Sequence, residues 1–394
     1  MAESVRYLMF LVGAYYFLQA MGGNPGLHRQ ALQKTAKEVW HYDPVASAAL
    51  FAFLTIPWMI KPLYGIISDF LPIFRSRRKN YFLLTAFLCI VSYAAIAWAG
   101  FSDNVVKILL FNAAISIAFS DVLCDAVMVE RGQLLGITAR LQSSQWIALG
   151  IAGVMIAFVK GYIAEFYSLS QAVRFSMLAP VLVLVLTIFC LREEKVYSSG
   201  AAVREAWSGV KNAIRLKSLW ASACFIFLFQ MSPNLGTVLY FYEKDALKFS
   251  EILVGHVDTV NSMGFVLGAL FFSILSKRLP YDKLLSAIIV SGVVSTLAYI
   301  FFTGVLSAFI VHGLAGVISA IAFLGVLNIA ALVCPKNAEG TVFALLMSVA
   351  NFGTQVGEIT GSKLYELIGY SWLVVISATF TACMWFFLPL VRKR

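Results

Sequence analysis

Long apolar runs follow one another along this chain, with only short polar breaks between most of them. Each run has roughly 18 to 25 residues, about the length of helix that crosses a 30 Å hydrocarbon core. A chain that spans a membrane must satisfy its own backbone hydrogen bonds, so runs this long and continuous indicate helices. The pattern predicts twelve spans, at 6–22, 45–68, 81–101, 104–130, 139–166, 172–191, 218–242, 251–276, 281–304, 306–334, 338–367 and 370–391.

The composition agrees with this pattern. Of 394 residues, 60% are hydrophobic and 13% are charged, whereas soluble domains carry about 25% charged residues. An ordinary soluble enzyme is therefore excluded, and an all-α, multi-pass integral membrane protein is predicted.

The longest polar connection, residues 193–217, divides the predicted spans six and six. It predicts an N-terminal six-helix bundle at 1–192, a cytoplasmic linker at 193–217 and a C-terminal six-helix bundle at 218–394. Residues 201–207 of the linker favour an amphipathic helix at the membrane surface. Two halves of six spans are expected for the major facilitator fold, whose substrates bind between the halves.

The formal net charge of +10 does not indicate a nucleic-acid partner, because the cations concentrate in alternate loops. Basic residues cluster at 75–79, within 192–217 and at 392–394. Cytoplasmic loops carry the excess of Lys and Arg, so both termini are predicted to lie in the cytoplasm, with the protein in the inner membrane.

The cysteines and the known short motifs predict neither a cofactor nor a metal. The six cysteines are scattered singly and form no metal-binding spacing. Nucleotide-binding, zinc-protease and serine-hydrolase motifs do not occur in the sequence. The chain is therefore predicted not to be an enzyme, and ATP is not its direct energy source.

Acidic residues interrupt the fourth apolar run at Asp121, Asp125 and Glu130. An ionised Asp near the bilayer centre costs at least about 3 kcal/mol, so such residues usually face protein or a watery path. At about 100° per residue, Asp121 and Asp125 share one face of a helix. They are the predicted substrate and proton-coupling residues, with a purely structural hydrogen-bonded role as the alternative. Glu130 lies on the opposite face near the inner end, where it and Arg131 are predicted to form a gating or structural pair.

Lys61 in the second span offers a counterpart to these acids. It lies at about the same distance from the inner end of its span as Asp121 does in span four. A lysine at that depth needs a partner, a water-filled cavity or a lowered pKa. An ion pair between Lys61 and Asp121 is predicted, and Lys61 is assigned to the substrate site.

Span eleven carries two distinct faces. One face is predicted to line the substrate pathway, with structural hydrogen bonding as the alternative; its polar residues are Asn351, Gln355, Glu358 and Ser362. Glycines recur every four residues on another side, at Gly353, Gly357 and Gly361, and predict close packing on a neighbouring helix.

Two glutamines complete the predicted substrate-binding set: Gln145 of span five and Gln230 of span seven. Pro233 is predicted to break span seven shortly after Gln230.

The inner end of span two carries the pattern Gly65-x-x-x-Asp69 followed by the basic run at 75–79. This pattern resembles the loop signature of the major facilitator superfamily. Glycine permits close helix packing, and the acid and the cations can pair across an inner gate. The predicted gating set is Gly65, Asp69, Arg78, Glu130, Arg131 and Glu339.

Taken together, three motifs resemble the folate-biopterin transporter family, a branch of the major facilitator superfamily. The motifs are residues 61–69, the run from Asp121 to Arg131, and the run from Pro335 through Glu339 to Asn351. Cys124 stands where the family commonly has Ala. The resemblance covers nearly the whole chain and implies secondary active transport of folates or unconjugated pterins by alternating access.

The residues fit that chemistry. The donor edge of a pterin suits a carboxylate of Asp121, Asp125 or Glu358, and Lys61 or Arg140 suits a glutamate tail. Tyr15, Tyr64 and Trp146 are candidates to flank the ring.

Uptake is predicted to be coupled to protons through Asp121 or Asp125, and the protein is predicted to be a monomer. The alternatives are a permease or exporter for a nucleoside, a sugar or a muropeptide, and a membrane sensor that does not transport.

Overall fold

The computed structural model describes residues 5–23, 26–193, 215–278, 281–333 and 339–391. Most of the predicted linker, its amphipathic segment at 201–207 and Pro335 of the family motif lie outside these residues. The side chains of Asp69 and Glu339 are likewise outside the described part, although the backbone of each is in a helix.

Helices account for nearly all of the described chain. In the first half they are α1 (Val5–Gly22), α2 (Arg29–Lys34), α3 (Pro44–Met59), α4 (Lys61–Phe70), α5 (Lys79–Trp98), α6 (Asp103–Leu135), α7 (Thr138–Phe166) and α8 (Leu169–Phe189). In the second half they are α9 (Lys217–Gln230), α10 (Gly236–Asp245), α11 (Glu251–Arg278), α12 (Tyr281–Ala298), α13 (Val305–Val333), α14 (Glu339–Ile368), α15 (Tyr370–Cys383) and α16 (Leu388–Val391).

The all-α membrane architecture is confirmed. Within the described residues, nine helical segments are long and apolar enough to cross a membrane, and the apolar helices Leu219–Gln230 and Leu285–Phe301 are shorter. Large apolar side chains are exposed along these helices, with Ile147 63% and Leu306 75% exposed. Apolar surface of this kind is costly in water and favourable against lipid.

Two predicted spans are broken into shorter helices. Span seven ends as α9 at Gln230 and resumes as α10 at Gly236, which confirms the break predicted at Pro233. Span two breaks at Ile60, between α3 and α4, which was not predicted. Pro62 explains this second break, because proline lacks the N–H that would bond to the carbonyl four residues earlier.

By its packing, the chain forms two compact units. The N-terminal unit comprises Met1–His41 and Ile60–Gly200. In it, α5 packs between α6 and α8, and α1 packs on α7. Its main core includes Leu8, Leu11, Phe82, Leu123 and Leu141, which are nearly inaccessible to solvent.

The C-terminal unit comprises Tyr42–Met59 and Ala201–Arg394. In it, α11 packs on α13, α9 packs on α14, and α12 packs on α13 and α15. Helix α3 also packs here, against α14, and the Val45 N–H donates to Glu366 Oε1 at 3.4 Å. The predicted division had placed all of span two in the first bundle; by contacts, its first helix packs in the second unit. The predicted boundary at the linker stays a prediction.

Candidate functional site

The predicted ion pair between Lys61 and Asp121 is present in the N-terminal unit. Lys61 is the first residue of α4, directly after the break in span two, and its Nζ donates to Asp121 Oδ2 on α6. The two side chains are 20% and 19% exposed. Each charge is therefore matched by a partner at a depth where an isolated charge would be costly.

Asp125 lies one turn further along α6 and accepts a hydrogen bond from the hydroxyl of Tyr16 on α1. Tyr16 is 1% exposed. Sequence reasoning missed Tyr16, because one tyrosine among many apolar residues of a span has no distinguishing pattern. The name N-unit charge cluster is used below for four residues: Lys61, Asp121, Asp125 and Tyr16. When the lysine and the two acids are charged, the cluster holds one cation and two carboxylates.

Two of the aromatic residues suggested as neighbours of a bound ring stack on other aromatic side chains. Tyr15 bonds to Thr187 Oγ1 at 2.9 Å and stacks on Phe82 with ring centroids 4.6 Å apart, so it belongs to the hydrophobic core. Tyr64 is also buried and stacks on Phe119 at 4.9 Å. The adjacent Tyr16, turned by about 100° on α1, contacts the charge cluster instead.

Arg78 connects three elements at the predicted inner end of the N-terminal unit. One guanidinium nitrogen donates to Ser68 Oγ on α4 and another to Glu130 Oε1 on α6, both at 2.6 Å. Arg131 donates to the carbonyl of Arg192 at 2.8 Å, and the predicted pairing of Glu130 with Arg131 stays a prediction. Neighbours in sequence point about 100° apart on a helix, so Glu130 faces α4 and α5 while Arg131 faces the end of α8.

Glu193, after the end of α8, is a second missed residue at this end. Its carboxylate accepts the backbone N–H groups of Arg77, Arg78 and Lys79 at 2.8 to 2.9 Å. These N–H groups lie at the start of α5, where the helix dipole favours a negative charge. The sequence around Glu193 carries no signal for this role, because the partner loop lies more than a hundred residues away.

The structure does not support close packing as the reason for Gly65. A Cβ added there would lie 3.8 Å from Val122 Cγ1, which is ordinary van der Waals contact. The side chains of Asp69 and Glu339 lie outside the described part. Gating by these three residues, and by Arg78, Glu130 and Arg131, stays a prediction.

In the C-terminal unit, the polar residues of span eleven bond to the broken part of span seven. Glu358 on α14 is 8% exposed and accepts a hydrogen bond from Thr237 Oγ1 at 2.6 Å. Gln230 donates to Thr354 Oγ1 at 3.2 Å, and Asn234 donates to the carbonyl of Thr354 at 3.1 Å. The two predicted residues Gln230 and Glu358 are thus held along one interface, between α14 and the break after α9.

The predicted glycine face of α14 packs against the same break, as expected. A Cβ at Gly357 would lie 2.5 Å from the carbonyl oxygen of Ser232, and one at Gly361 would lie 2.1 Å from that of Asn234. Neither distance is possible for a real side chain. The glycines therefore allow the unwound backbone at 231–235 to lie directly on α14.

Three other predicted residues do not join these contacts. Gln355 is 9% exposed, and its Oε1 accepts no hydrogen bond within the described part of the chain. Asn351 on α14 and Gln145 on α7 are half-buried. Their assignment to substrate binding stays a prediction.

The helices have the fold of membrane transporters of the major facilitator type. The structure of the nucleoside transporter NupG matches 98% of this chain and 100% of its own, with a TM-score of 0.73 at 14% identity. A D-xylose-proton symporter matches 99% of this chain and 98% of its own, with a TM-score of 0.73 at 13% identity. At these identities the likeness establishes the fold alone.

The chain belongs to the BT1 family, whose model matches residues 22–391. It is 28% identical over 372 residues to a folate-biopterin transporter of Synechocystis, covering 90% of this chain and 74% of that protein. It is 27% identical over 358 residues to folate transporter 1 of Plasmodium falciparum, covering 88% of this chain and 70% of that protein. The resemblance inferred from the sequence motifs is confirmed, and the chain is a transporter and not an enzyme.

Proposed function

We propose that this protein moves folates or unconjugated pterins across the cytoplasmic membrane by alternating access, coupled to proton movement through Asp121 or Asp125. The observation that supports this most is the N-unit charge cluster. It holds more carboxylate than cation on spanning helices, in a chain whose relatives are named folate and folate-biopterin transporters.

The cluster has two chemically distinct parts. Asp125 is bonded to a neutral phenol, that of Tyr16, so its carboxylate retains lone pairs that can accept the N–H and amino donors of a pterin edge. Asp121 is bonded to the ammonium of Lys61. Asp125 is therefore suited to bind a neutral ring that donates hydrogen bonds. Lys61 is suited to exchange the Asp121 carboxylate for a carboxylate of the substrate.

Protonation of Asp121 or Asp125 supplies the coupling step. When Asp121 Oδ2 takes up a proton, its charge is lost and the ammonium of Lys61 is released from the pair. Lys61 is then able to bind a substrate carboxylate, such as one from a folate tail. Loss of the proton restores the original ion pair and displaces that carboxylate, so substrate and proton movements become linked.

We further propose a membrane orientation from the loop charges. The basic residues at 75–79 and 192–217 support a cytoplasmic position for the ends of α4 and α8 and for both termini. We further propose that the transporting species is a monomer.

Uptake into proteoliposomes tests the proposal. Purified protein is reconstituted, and entry of radiolabelled folate and of a labelled unconjugated pterin is measured with an imposed pH gradient and after its collapse. We expect uptake of at least one of the two, and a loss of accumulation when the gradient is abolished.

Two variants accompany this measurement. The matched control is Lys363→Met, which removes an exposed lysine of α14, and the test variant is Asp121→Asn. The first is expected to leave uptake unchanged, and the second to abolish the response to the gradient. Accumulation that is equal with and without the gradient would remove proton coupling. Uptake of neither compound by a protein that remains folded would remove the proposed substrates.

A further inference from the structure

A second group of ionisable side chains lies in the C-terminal unit, apart from the residues used above. His312 on α13 faces Glu243 on α10, with Nε2 and Oε1 3.7 Å apart, and each side chain is 3% exposed. In the orientation predicted from the loop charges, this pair lies toward the outer ends of its helices. His312 begins the third turn of α13.

The surroundings of His312 leave one ring nitrogen aimed at the acid. Its ring packs edge-on against Tyr299 and Phe302, with centroids 5.2 Å away in both cases. Nε2 makes no hydrogen bond within the described part of the chain. The gap to Glu243 is too long for a hydrogen bond but within reach of a small movement, and a buried polar nitrogen without a partner is costly.

Other ionisable side chains lie near this pair. Lys244 already pairs with Glu251 at 3.0 Å, and Tyr240 donates to Glu251 at 2.9 Å. The carboxylate of Asp258 acts electrostatically on His312. The carboxylates of Glu243 and Asp258 act in the same way on Tyr299. The ionisable groups on the packed elements are Tyr240, Tyr242, Glu243 and Lys244 of α10, Glu251, His256 and Asp258 of α11, Tyr299 after α12, His312 of α13 and Tyr370 of α15.

The two residues of the pair lie on different kinds of helix. Asn261 on α11 donates to the carbonyl of His312 at 3.1 Å, and a Cβ at Gly316 would lie 2.2 Å from the carbonyl oxygen of Asn261. Helices α11 and α13 are therefore in direct backbone contact. Glu243 lies instead on the short helix α10, which begins after the break at 231–235.

We propose that His312 and Glu243 form a proton-binding site in the C-terminal unit, separate from Asp121 and Asp125. A proton added to His312 makes an imidazolium that pairs with the Glu243 carboxylate and draws α10 against α13. Thr237, six residues earlier on α10 and about 9 Å along the helix, bonds to Glu358. The proposal of the proton site does not depend on the proposed function. Its link to Glu358 does rest on the proposed function.

Histidine NMR on the purified protein tests the site without any substrate. The chain has four histidines, so each signal is assigned by replacing one of them with Gln. We expect the His312 signal to titrate within the pH range over which the protein stays folded, because histidine is the side chain that changes charge most readily near neutral pH. Glu243→Gln is expected to move its midpoint to lower pH by about 0.5 unit or more, because an imidazolium loses its carboxylate partner.

His41→Gln is the matched control, since His41 is exposed, and it is expected to leave the His312 signal unchanged. Should His312→Gln not fold, the signal is assigned by replacing the other three histidines. The proposal is overturned if the His312 signal does not titrate. It is also overturned if the midpoint of the His312 titration shifts in Asp258→Asn and stays unchanged in Glu243→Gln.

Transport then tests the link separately. Glu243→Gln is expected to lower proton-driven uptake about tenfold and to flatten its dependence on outside pH, while thermal stability at pH 8 stays close to that of the parent. An unchanged pH profile beside a shifted His312 signal would overturn the link to Glu358 and leave the proton site. Failure of the parent protein to transport folates or pterins bears on the proposed function alone, because the NMR titration contains no substrate.

Discussion

The two units hold the acids of their predicted substrate-binding sets in different ways. In the N-terminal unit, Asp121 is matched by the charge of Lys61. In the C-terminal unit, Glu358 is bonded to the neutral hydroxyl of Thr237, beside unwound backbone that lies on glycines of α14. The geometry of the first site depends on charge, and that of the second depends on close backbone packing. Changes of charge should therefore damage the first unit most, and changes of volume the second.

Removing the cation of the N-unit charge cluster should have the largest effect. Lys61→Met leaves Asp121 buried without its partner, and breaking a buried ion pair costs about 3–5 kcal/mol. We expect uptake by proteoliposomes to fall about a hundredfold or more. Lys61→Arg keeps the charge and should retain part of the uptake. If Lys61→Met with Asp121→Asn recovered stability and full uptake, the pair would be structural only.

Acid should weaken the N-terminal unit through His28, in the connection between α1 and α2. Its Nδ1 lies 2.9 Å from Ser176 Oγ, and burial lowers the pKa of His28 to about 4, with a smaller contribution from Arg29. The unfolded imidazole takes up a proton near pH 6.5 and the folded one near pH 4, so stability present above pH 6.5 is lost as the pH falls through this range. The loss amounts to about 3 kcal/mol.

Thermal melting of the protein between pH 8 and 4 measures this effect. His28→Gln should remove most of the acid-dependent part, whereas His41→Gln should not. If the melting temperature falls with pH equally in both variants, His28 is not the group whose protonation destabilises the fold.

Added volume should damage the C-terminal unit. Gly357→Ala would place a Cβ 2.5 Å from the carbonyl oxygen of Ser232, and overpacking of this kind costs about 1–3 kcal/mol. We expect a lower melting temperature with little change in pH dependence. Gly65→Ala is the matched control, because a Cβ there has room. Equal destabilisation by the two variants would contradict the contrast between the units.

Removing one neutral hydrogen bond should have the smallest effect. Thr237→Val keeps the shape of the side chain and removes the donor to Glu358, at a cost of about 1–3 kcal/mol for a buried acceptor left unsatisfied. We expect uptake to fall between about fivefold and tenfold, with stability reduced by no more than in Gly357→Ala. Thr379→Val is the control, since the exposed Thr379 hydroxyl donates to the carbonyl of Val375 on its own helix.

Much of the fold was accessible from the sequence because membrane insertion imposes strong local rules. The apolar runs, the break at Pro233 and the packing face of Gly353, Gly357 and Gly361 all follow from composition and helical period. The pair between Lys61 and Asp121 was also accessible, since two isolated opposite charges at similar depth have few other partners.

The partners of Asp125 and Glu130 could not be found in this way. Tyr16 and Arg78 lie on other helices, and their rotation relative to α6 depends on how whole helices pack, which no local period encodes. The same is true of Glu193, whose partner loop is distant in sequence, and of His312 and Glu243, which meet from α13 and α10.

The sequence alone therefore established that this is a helical, multi-pass membrane transporter, and which faces of its helices are charged, polar or smooth. Each of these properties depends on one residue and its neighbours within a turn or two. Tertiary structure decided which acid meets which donor, that α3 packs with the C-terminal unit, and that Gly65 has room for a side chain. Those outcomes depend on distances of a few ångströms between helices that are far apart in sequence, and only the packed structure contains them.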